Sequence, residues 1–199
     1  MSRIARLKIT LDHVRPPIWR RIEVPIDLTL EDLHLVIQVA MGWDNCHLYA
    51  FRTPAGSWSS TDPHFGMPDA GSAERTTLAQ LRRQGGARKF AYIYDFGDDW
   101  EHTVQMEAVI PREPDTLYPR LLKAKGACPP EDVGGPWGYA EYLEVISDPQ
   151  HKLHNELVEW RGPGFDPTVV NEAEIRARLD GLARLRPPRR AKSQATRAT

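Results

Sequence analysis

The stretch from Lys89 to Ile110 constrains the fold more than any other. Lys89-Phe90-Ala91-Tyr92-Ile93-Tyr94 is aromatic and β-branched, and Thr103 to Ile110 alternates apolar with polar positions. Both are strand signatures, and Gly97-Asp98-Asp99 between them is turn chemistry. The stretch therefore predicts an antiparallel β-hairpin in the interior of a sheet. Its turn is crowded, with Asp95, Asp98, Asp99, Trp100, Glu101 and His102 following one another closely. A plain turn needs a Gly and one Asp or Asn. The surplus of groups that ligate, pair or stack makes this turn the first candidate site.

The flanking segments place the hairpin in an α+β fold. Arg3 to Val14 and Ile18 to Pro25 read as two strands of an N-terminal hairpin, parted by Arg15-Pro16-Pro17. Thr29, with an acid three positions on, caps a helix whose stripe of Leu30, Leu33, Ile37 and Met41 runs to Gly42. His34 lies beside that stripe and reads as a boundary histidine with a local hydrogen bond rather than as a ligand. Cys46 to Arg52 is a third strand. Thr53 to Thr76 is a long excursion rich in Gly, Ser, Pro and Asp, in which Trp58, His64 and Phe65 stand isolated; it is either a functional flap or an insertion. Thr77 caps a short helix ending near Gly85-Gly86.

Beyond the central hairpin, Leu117 to Leu122 is a short strand or turn, and Gly126 to Tyr139 is a rigid, irregular loop carrying Glu131 and Asp132. Helices follow over Tyr139 to Ser147, Lys152 to Trp160 and Asn171 to Leu185. Strands first and helices last predict a mostly antiparallel sheet with helices packed on it and a helical C-terminal third, not a repeating βαβ unit. The domain is expected over residues 3–185, with 186–199 as a disordered basic tail. From Arg184 to Thr199 the chain has Arg184, Arg186, Arg189, Arg190, Lys192 and Arg197 and not one acid, leaving about −7 elsewhere once they are taken from the overall −1. Weak nucleic-acid contact is the role they suggest.

The chain has 41% hydrophobic and 27% charged residues, the balance of a soluble globular protein. It has no apolar run of the roughly 18 residues that a membrane span needs. Cys46 and Cys128 suggest no disulfide framework, so a reducing cytoplasm is expected.

Three segments bring chemistry to the candidate site. Asp95, Asp98, Asp99, Trp100 and His102 come from the turn, His47 from a neighbouring strand, and Glu131 and Asp132 from the rigid loop. Carboxylates and imidazole suit a divalent metal, with Asp98, His102 and His47 the foremost ligands. Such an ion could activate water for hydrolysis of a phosphoester. Carboxylate turns are commonly structural, however, and no enzyme signature is legible. A binding or accessory module, with a protein or nucleic-acid partner, is therefore favoured, and a metal-dependent hydrolase is the alternative. Trp43, Trp58, Trp100, Trp137 and Trp160 offer contact area for such a module. Arg15, Arg20 and Arg21 are cations that could pair with the turn acids. The turn and the Pro-Pro-Glu-Asp loop are expected to meet in one site, where converging carboxylates need neutralising.

Ile18-Trp19-Arg20-Arg21, Leu33-His34, Ile37-Gln38, Met41-Gly42-Trp43, His47-Leu48, Tyr94-Asp95-Phe96-Gly97-Asp98, Trp100, His102, Cys128-Pro129-Pro130-Glu131-Asp132, Gly134-Gly135 and Gly138-Tyr139 together resemble the plasmid pRiA-type open-reading-frame-three family, also labelled insertion-element passenger, TnpR-like. The resemblance covers about residues 3 to 180. It implies an α+β domain and association with plasmids and mobile elements, without an activity. Many relatives carry a second Cys where this chain has Val133, so a Cys128/Cys133 ligand pair is absent. The residues also argue against a resolvase. Serine recombination needs an early nucleophilic Ser among arginines, whereas Ser2 is terminal, the next Ser is Ser57, and no basic recognition helix is evident.

Overall fold

The computed structural model describes residues 3–62, 67, 69–85, 88–162 and 164–185. Strands β1 (Arg3–Leu11) and β2 (Ile18–Pro25) form the N-terminal hairpin, followed by helix α1 (Leu30–Met41). Strands β3 (Tyr49–Thr53), β4 (Gly56–Ser59) and β5 (Gly71–Ser72) lead to helix α2 (Leu78–Gly85). The central hairpin is β6 (Lys89–Tyr94) and β7 (Trp100–Pro111), and β8 (Arg120–Lys125) ends the strands. Helices α3 (Gly135–Ser147), α4 (His154–Arg161) and α5 (Glu172–Leu185) complete the chain. All eight strands share one sheet in the order β5-β4-β3-β6-β7-β1-β2-β8, antiparallel except for β4 with β5.

The fold is α+β, and the central hairpin lies in the sheet interior, with Tyr94 opposite Trp100 and Lys89 opposite Gln105. The loop between them is Asp95 to Asp99, and both of its end residues adopt the left-handed region, with φ of 56° and 53°. Asp tolerates that conformation better than most residues. Period-two alternation turns Trp100, His102, Val104 and Met106 of β7 to the core, beside Phe90, Tyr92 and Tyr94 of β6. Helix α1 joins this core through Leu30, Leu33, Val36, Ile37 and Ala40, and α5 through Ile175 and Leu179.

The caps are where the sequence places them. Thr29 Oγ1 accepts the Asp32 N–H, and Gly42 closes α1 with φ 107°. Thr77 and Gln80 form a reciprocal capping box at α2.

Several boundaries differ from the sequence reading. β1 stops at Leu11, not Val14, and β3 starts at Tyr49, not Cys46. β3 starts where its partner β6 ends, Tyr49 opposite Tyr94, and β1 ends opposite Ile18, the first residue of β2. The excursion after β3 is partly strand: β4 and β5 extend the sheet edge, and Trp58 packs there, opposite Phe51. Helix α3 begins four residues earlier than Tyr139, because Gly134 caps it and Pro136 occupies its first turn. His64, Phe65 and the tail 186–199 lie outside the described residues.

The outer face of β1, β2 and β8 is polar. Glu23, fully buried, receives Arg6 at 2.8 Å and Arg120 at 2.7 Å, and Arg21 is bidentate to Glu107. The expectation that Arg20 and Arg21 answer the acids of the central turn is therefore corrected. Arg21 and Arg20 project from opposite faces of β2, and neither reaches the turn.

Candidate metal centre

The segment between α1 and β3 is held by a closed ring of hydrogen bonds. Gln38 Nε2 donates to the Tyr92 hydroxyl at 2.9 Å, and that hydroxyl lies 2.7 Å from His34 Nδ1. His34 Nε2 meets Asn45 Oδ1, and the Asn45 N–H donates to Gln38 Oε1 at 3.1 Å. With the hydroxyl accepting from Gln38, it donates to Nδ1, and His34 is the neutral tautomer protonated at Nε2. Burial agrees, pushing the His34 pKa down to about 4. His34 also stacks on Tyr49, with ring centroids 3.7 Å apart. It is thus not a ligand but the post on which residues 44–47 are mounted, more deeply buried than a boundary position.

Next along that segment, the Asp44 N–H donates to Glu131 Oε1 at 2.8 Å, and the Tyr94 hydroxyl donates to the same oxygen at 3.0 Å. The indole of Trp43 donates to the Pro129 carbonyl. The hairpin loop also reaches the rigid loop, where Asp98 Oδ2 accepts the Gly134 N–H at 3.1 Å. Gly135 packs so closely that a Cβ there would lie 2.3 Å from the Asp98 carbonyl oxygen. The turn and the Pro-Pro-Glu-Asp loop do meet.

At their junction stands His47. Its Nε2 is 3.1 Å from Asp132 Oδ1, 3.6 Å from Asp95 Oδ2 and 3.8 Å from Glu131 Oε2. None of these contacts has hydrogen-bond geometry, so His47 Nε2 and Glu131 Oε2, though at ion-pairing distance from each other, are enclosed without a hydrogen-bond partner among the described residues. Enclosed polar atoms left unpaired are costly and rare. Asp95 is fixed by its other oxygen, which accepts the Gly97 N–H at 2.9 Å. Cys46 Sγ lies within 4.8 Å of the His47 and Glu131 donor atoms. Burial raises the Glu131 pKa, an effect reduced by its bonds from Asp44 and Tyr94 and by the nearby His47. The Cys46 thiol is also held above its ordinary value, first by desolvation and then by the carboxylates of Glu131 and Asp132.

Of the eight residues singled out in the sequence, four converge here: His47, Asp95, Glu131 and Asp132. Asp98 serves the junction as an acceptor for the loop backbone. Asp99 is exposed and, with Asp98, lines a separate cleft of about 890 Å³ beside Trp137. The other two require a correction. Trp100 and His102 are fully buried on the core face of β7, where His102 Nδ1 lies 3.2 Å from the Tyr92 carbonyl and its ring meets Trp43 edge-on. Alternation dictates this: neighbours in sequence along a strand point to opposite faces, so nearness to the turn did not bring His102 into it. The sequence reading missed the Tyr94 hydroxyl, the Asp44 N–H and the Cys46 sulfur as members. For Cys46 its adjacency to His47 was an available signal; for Tyr94 no local signal existed.

The tryptophans divide the same way. Trp43, Trp58 and Trp100 are core, whereas Trp137 is 89% exposed and Trp160 is 49% exposed.

The plasmid pRiA4b ORF-3-like family matches residues 3–174, and the chain belongs to that family. Over 190 residues it is 44% identical to the uncharacterised protein y4hQ of Sinorhizobium fredii, covering 92% of this chain and 94% of that one. It is also similar to the crystal structure of MM3350, a protein of unknown function from Methanosarcina mazei. There the TM-score is 0.79 and the identity 32%, covering 87% of this chain and 98% of that chain. The family and the fold that the sequence motifs implied are therefore correct, while the TnpR-like label has no counterpart in the family's description.

Proposed function

We propose that this member of the plasmid pRiA4b ORF-3-like family is a divalent-metal-binding module. The ion is held by His47 Nε2, Asp95 Oδ2 and Asp132 Oδ1, and Glu131, which groups with His47 and Cys46 and not with the two aspartates, becomes the fourth donor by a side-chain shift. One observation carries the reading: an enclosed imidazole nitrogen with no hydrogen-bond partner among the described residues faces three carboxylate oxygens at 3.1, 3.6 and 3.8 Å. Two donors bound at roughly 2.0–2.1 Å to one tetrahedral ion are themselves about 3.4 Å apart, so the spacing suits shared ligation better than hydrogen bonding. A cation also removes the repulsion among the three carboxylates. Imidazole with carboxylates favours Zn²⁺ or Mn²⁺ over Ca²⁺, which takes oxygen donors alone. Cys46 is a weaker candidate ligand because its thiol resists ionisation.

The test is elemental analysis and calorimetric titration of the purified chain with Zn²⁺, Mn²⁺ and Mg²⁺. Glu131→Gln and Asp95→Asn retain the acceptors for the Asp44, Tyr94 and Gly97 donors, so folding is expected to survive. Together with His47→Ala, they are expected to weaken binding about a hundredfold or more. Failure of the wild-type chain to bind any of the three ions, or unchanged affinity in all three variants, refutes the proposal.

A second reading, metal-dependent hydrolysis of a phosphoester, draws on the 70% exposure of the Asp132 side chain. A ligand this exposed leaves one side of the ion open to water and substrate, as catalytic sites require. Zn²⁺- or Mn²⁺-dependent cleavage of bis(p-nitrophenyl) phosphate, abolished by His47→Ala, would support it. Metal binding without such turnover leaves the binding module as the function.

A further inference from the structure

A second buried charge lies away from the metal centre. Arg20, on the core face of β2, is only 1% exposed. Its Nε donates to the Ala40 carbonyl at 2.7 Å, and its Nη1 to the carbonyls of Trp19 and Lys125, each at 3.0 Å. These bonds tie the C-terminal end of α1 to the sheet. They satisfy donors but do not neutralise the charge. Among the described residues no carboxylate lies within ion-pairing distance of Arg20, and its Nη2 has no hydrogen-bond partner. Glu172 acts on it only at longer range and is itself paired with Arg176, so burial dominates and lowers the Arg20 pKa, and a buried guanidinium with no contacting carboxylate is an expensive arrangement.

The guanidinium does not face a closed core. Arg20 lines a cleft of about 420 Å³ between the end of α1, the turn after α4 and the start of α5, a size suited to a small molecule. Two further arginines line it, Arg161 and Arg178, both exposed and neither in an ion pair among the described residues. The carboxylates on the rim have partners of their own: Asp166 accepts from Thr168, and Glu174 from Asn171. The wall between the arginines is apolar, formed by Phe165, Val170 and Ile175.

The geometry points to an organic anion as the ligand of this cleft. Its carboxylate or phosphate group sits against Arg20 Nη2, Arg161 and Arg178 close over it, and its apolar body packs on Phe165 and Ile175. Oxyanions are the groups that a guanidinium edge matches geometrically. This site is separate from the metal centre, although one loop serves both: Cys128 lines the cleft, and Glu131 and Asp132 reach His47.

The experiment is a titration of the full chain with inorganic phosphate, hexanoate, the neutral hexanamide and sodium chloride at matched ionic strength, followed by calorimetry and by the rise in Tm. Saturable binding of phosphate, hexanoate or both, exceeding that of chloride and hexanamide, is expected. The stronger of the two oxyanions identifies the headgroup. The Arg161→Ala/Arg178→Ala double variant changes only exposed side chains and is expected to bind about tenfold more weakly with an unchanged fold. His47→Ala is expected to bind as the wild type does. The inference is overturned if neither oxyanion exceeds chloride, if hexanamide binds as well as the stronger oxyanion, if the double variant keeps full affinity, or if His47→Ala abolishes binding.

Discussion

His47 and His102 show how differently one residue type is used when its surroundings change. His102 is sealed among Trp43, Tyr92 and Trp100, and burial pushes its pKa down to about 4. Its Nε2 has no partner among the described residues. His34 is depressed likewise, to about 4. Below the ordinary histidine pKa of about 6.5, the unfolded chain takes up both protons while the native chain holds neither until about pH 4. Stability therefore falls as pH drops across that window, by about 3 kcal/mol for each histidine. His102→Leu removes one of the two and also the unpartnered nitrogen, at the loss of the contact to the Tyr92 carbonyl. Urea unfolding at pH 7 is expected to change by less than about 1.5 kcal/mol. The loss of stability between pH 6.5 and 4.5 should shrink markedly, and an unaltered pH dependence would contradict the assignment.

At the scale of elements, the proposed metal centre depends on how the β6–β7 loop and the N-terminus of α3 fit together. The fit is backbone against backbone, with Gly135 at φ 68° facing the Asp98 carbonyl. A methyl group there has nowhere to go, because what it meets is main chain and not the end of a flexible side chain. Gly135→Ala is expected to cost about 2–4 kcal/mol by thermal or urea unfolding and to weaken metal binding as the two loops part. Gly164→Ala provides the contrast. Its φ is 84°, but nothing lies within 4 Å of the added carbon, so only the backbone penalty of about 1 kcal/mol applies. Equal costs at the two positions would show that the close approach does not matter. The ring of Gln38, Tyr92, His34 and Asn45 does the same service for His47 from the other side, through contacts up to 58 residues apart in sequence.

At the scale of the whole molecule, the proposed ion couples three segments that are distant in the chain, so its binding is expected to stabilise the entire fold. A ligand that binds only the native state at a hundred times its Kd adds about 2.7 kcal/mol, read as a higher Tm with Zn²⁺ or Mn²⁺. Burial raises the Glu131 pKa, and that carboxyl must lose its proton to ligate. The stabilisation by metal should therefore weaken as pH falls through the carboxylate range, and a metal-induced rise in Tm independent of pH would exclude Glu131. Among the described residues no helix is long and apolar enough to cross a membrane. Local sequence was sufficient for much of this architecture. Caps at Thr29, Gly42 and Thr77, the alternation of β1, β2 and β7, and the turn chemistry of Asp95 to Asp99 each act within a few residues, so the α+β class and the central hairpin were legible. The loops that carry Glu131 and Asp132 were legible as candidates because acids among Gly and Pro are a local anomaly. Which of those groups share a site was not. His102 left the cluster because the strand's pleat turned it inward, whereas Tyr94, from the same core-facing row, reached Glu131 with its hydroxyl. The absence of a contacting carboxylate at Arg20 among the described residues was equally invisible in the sequence. Burial, the distance between segments and an unpaired charge are properties of the packed chain, and only tertiary structure decides them.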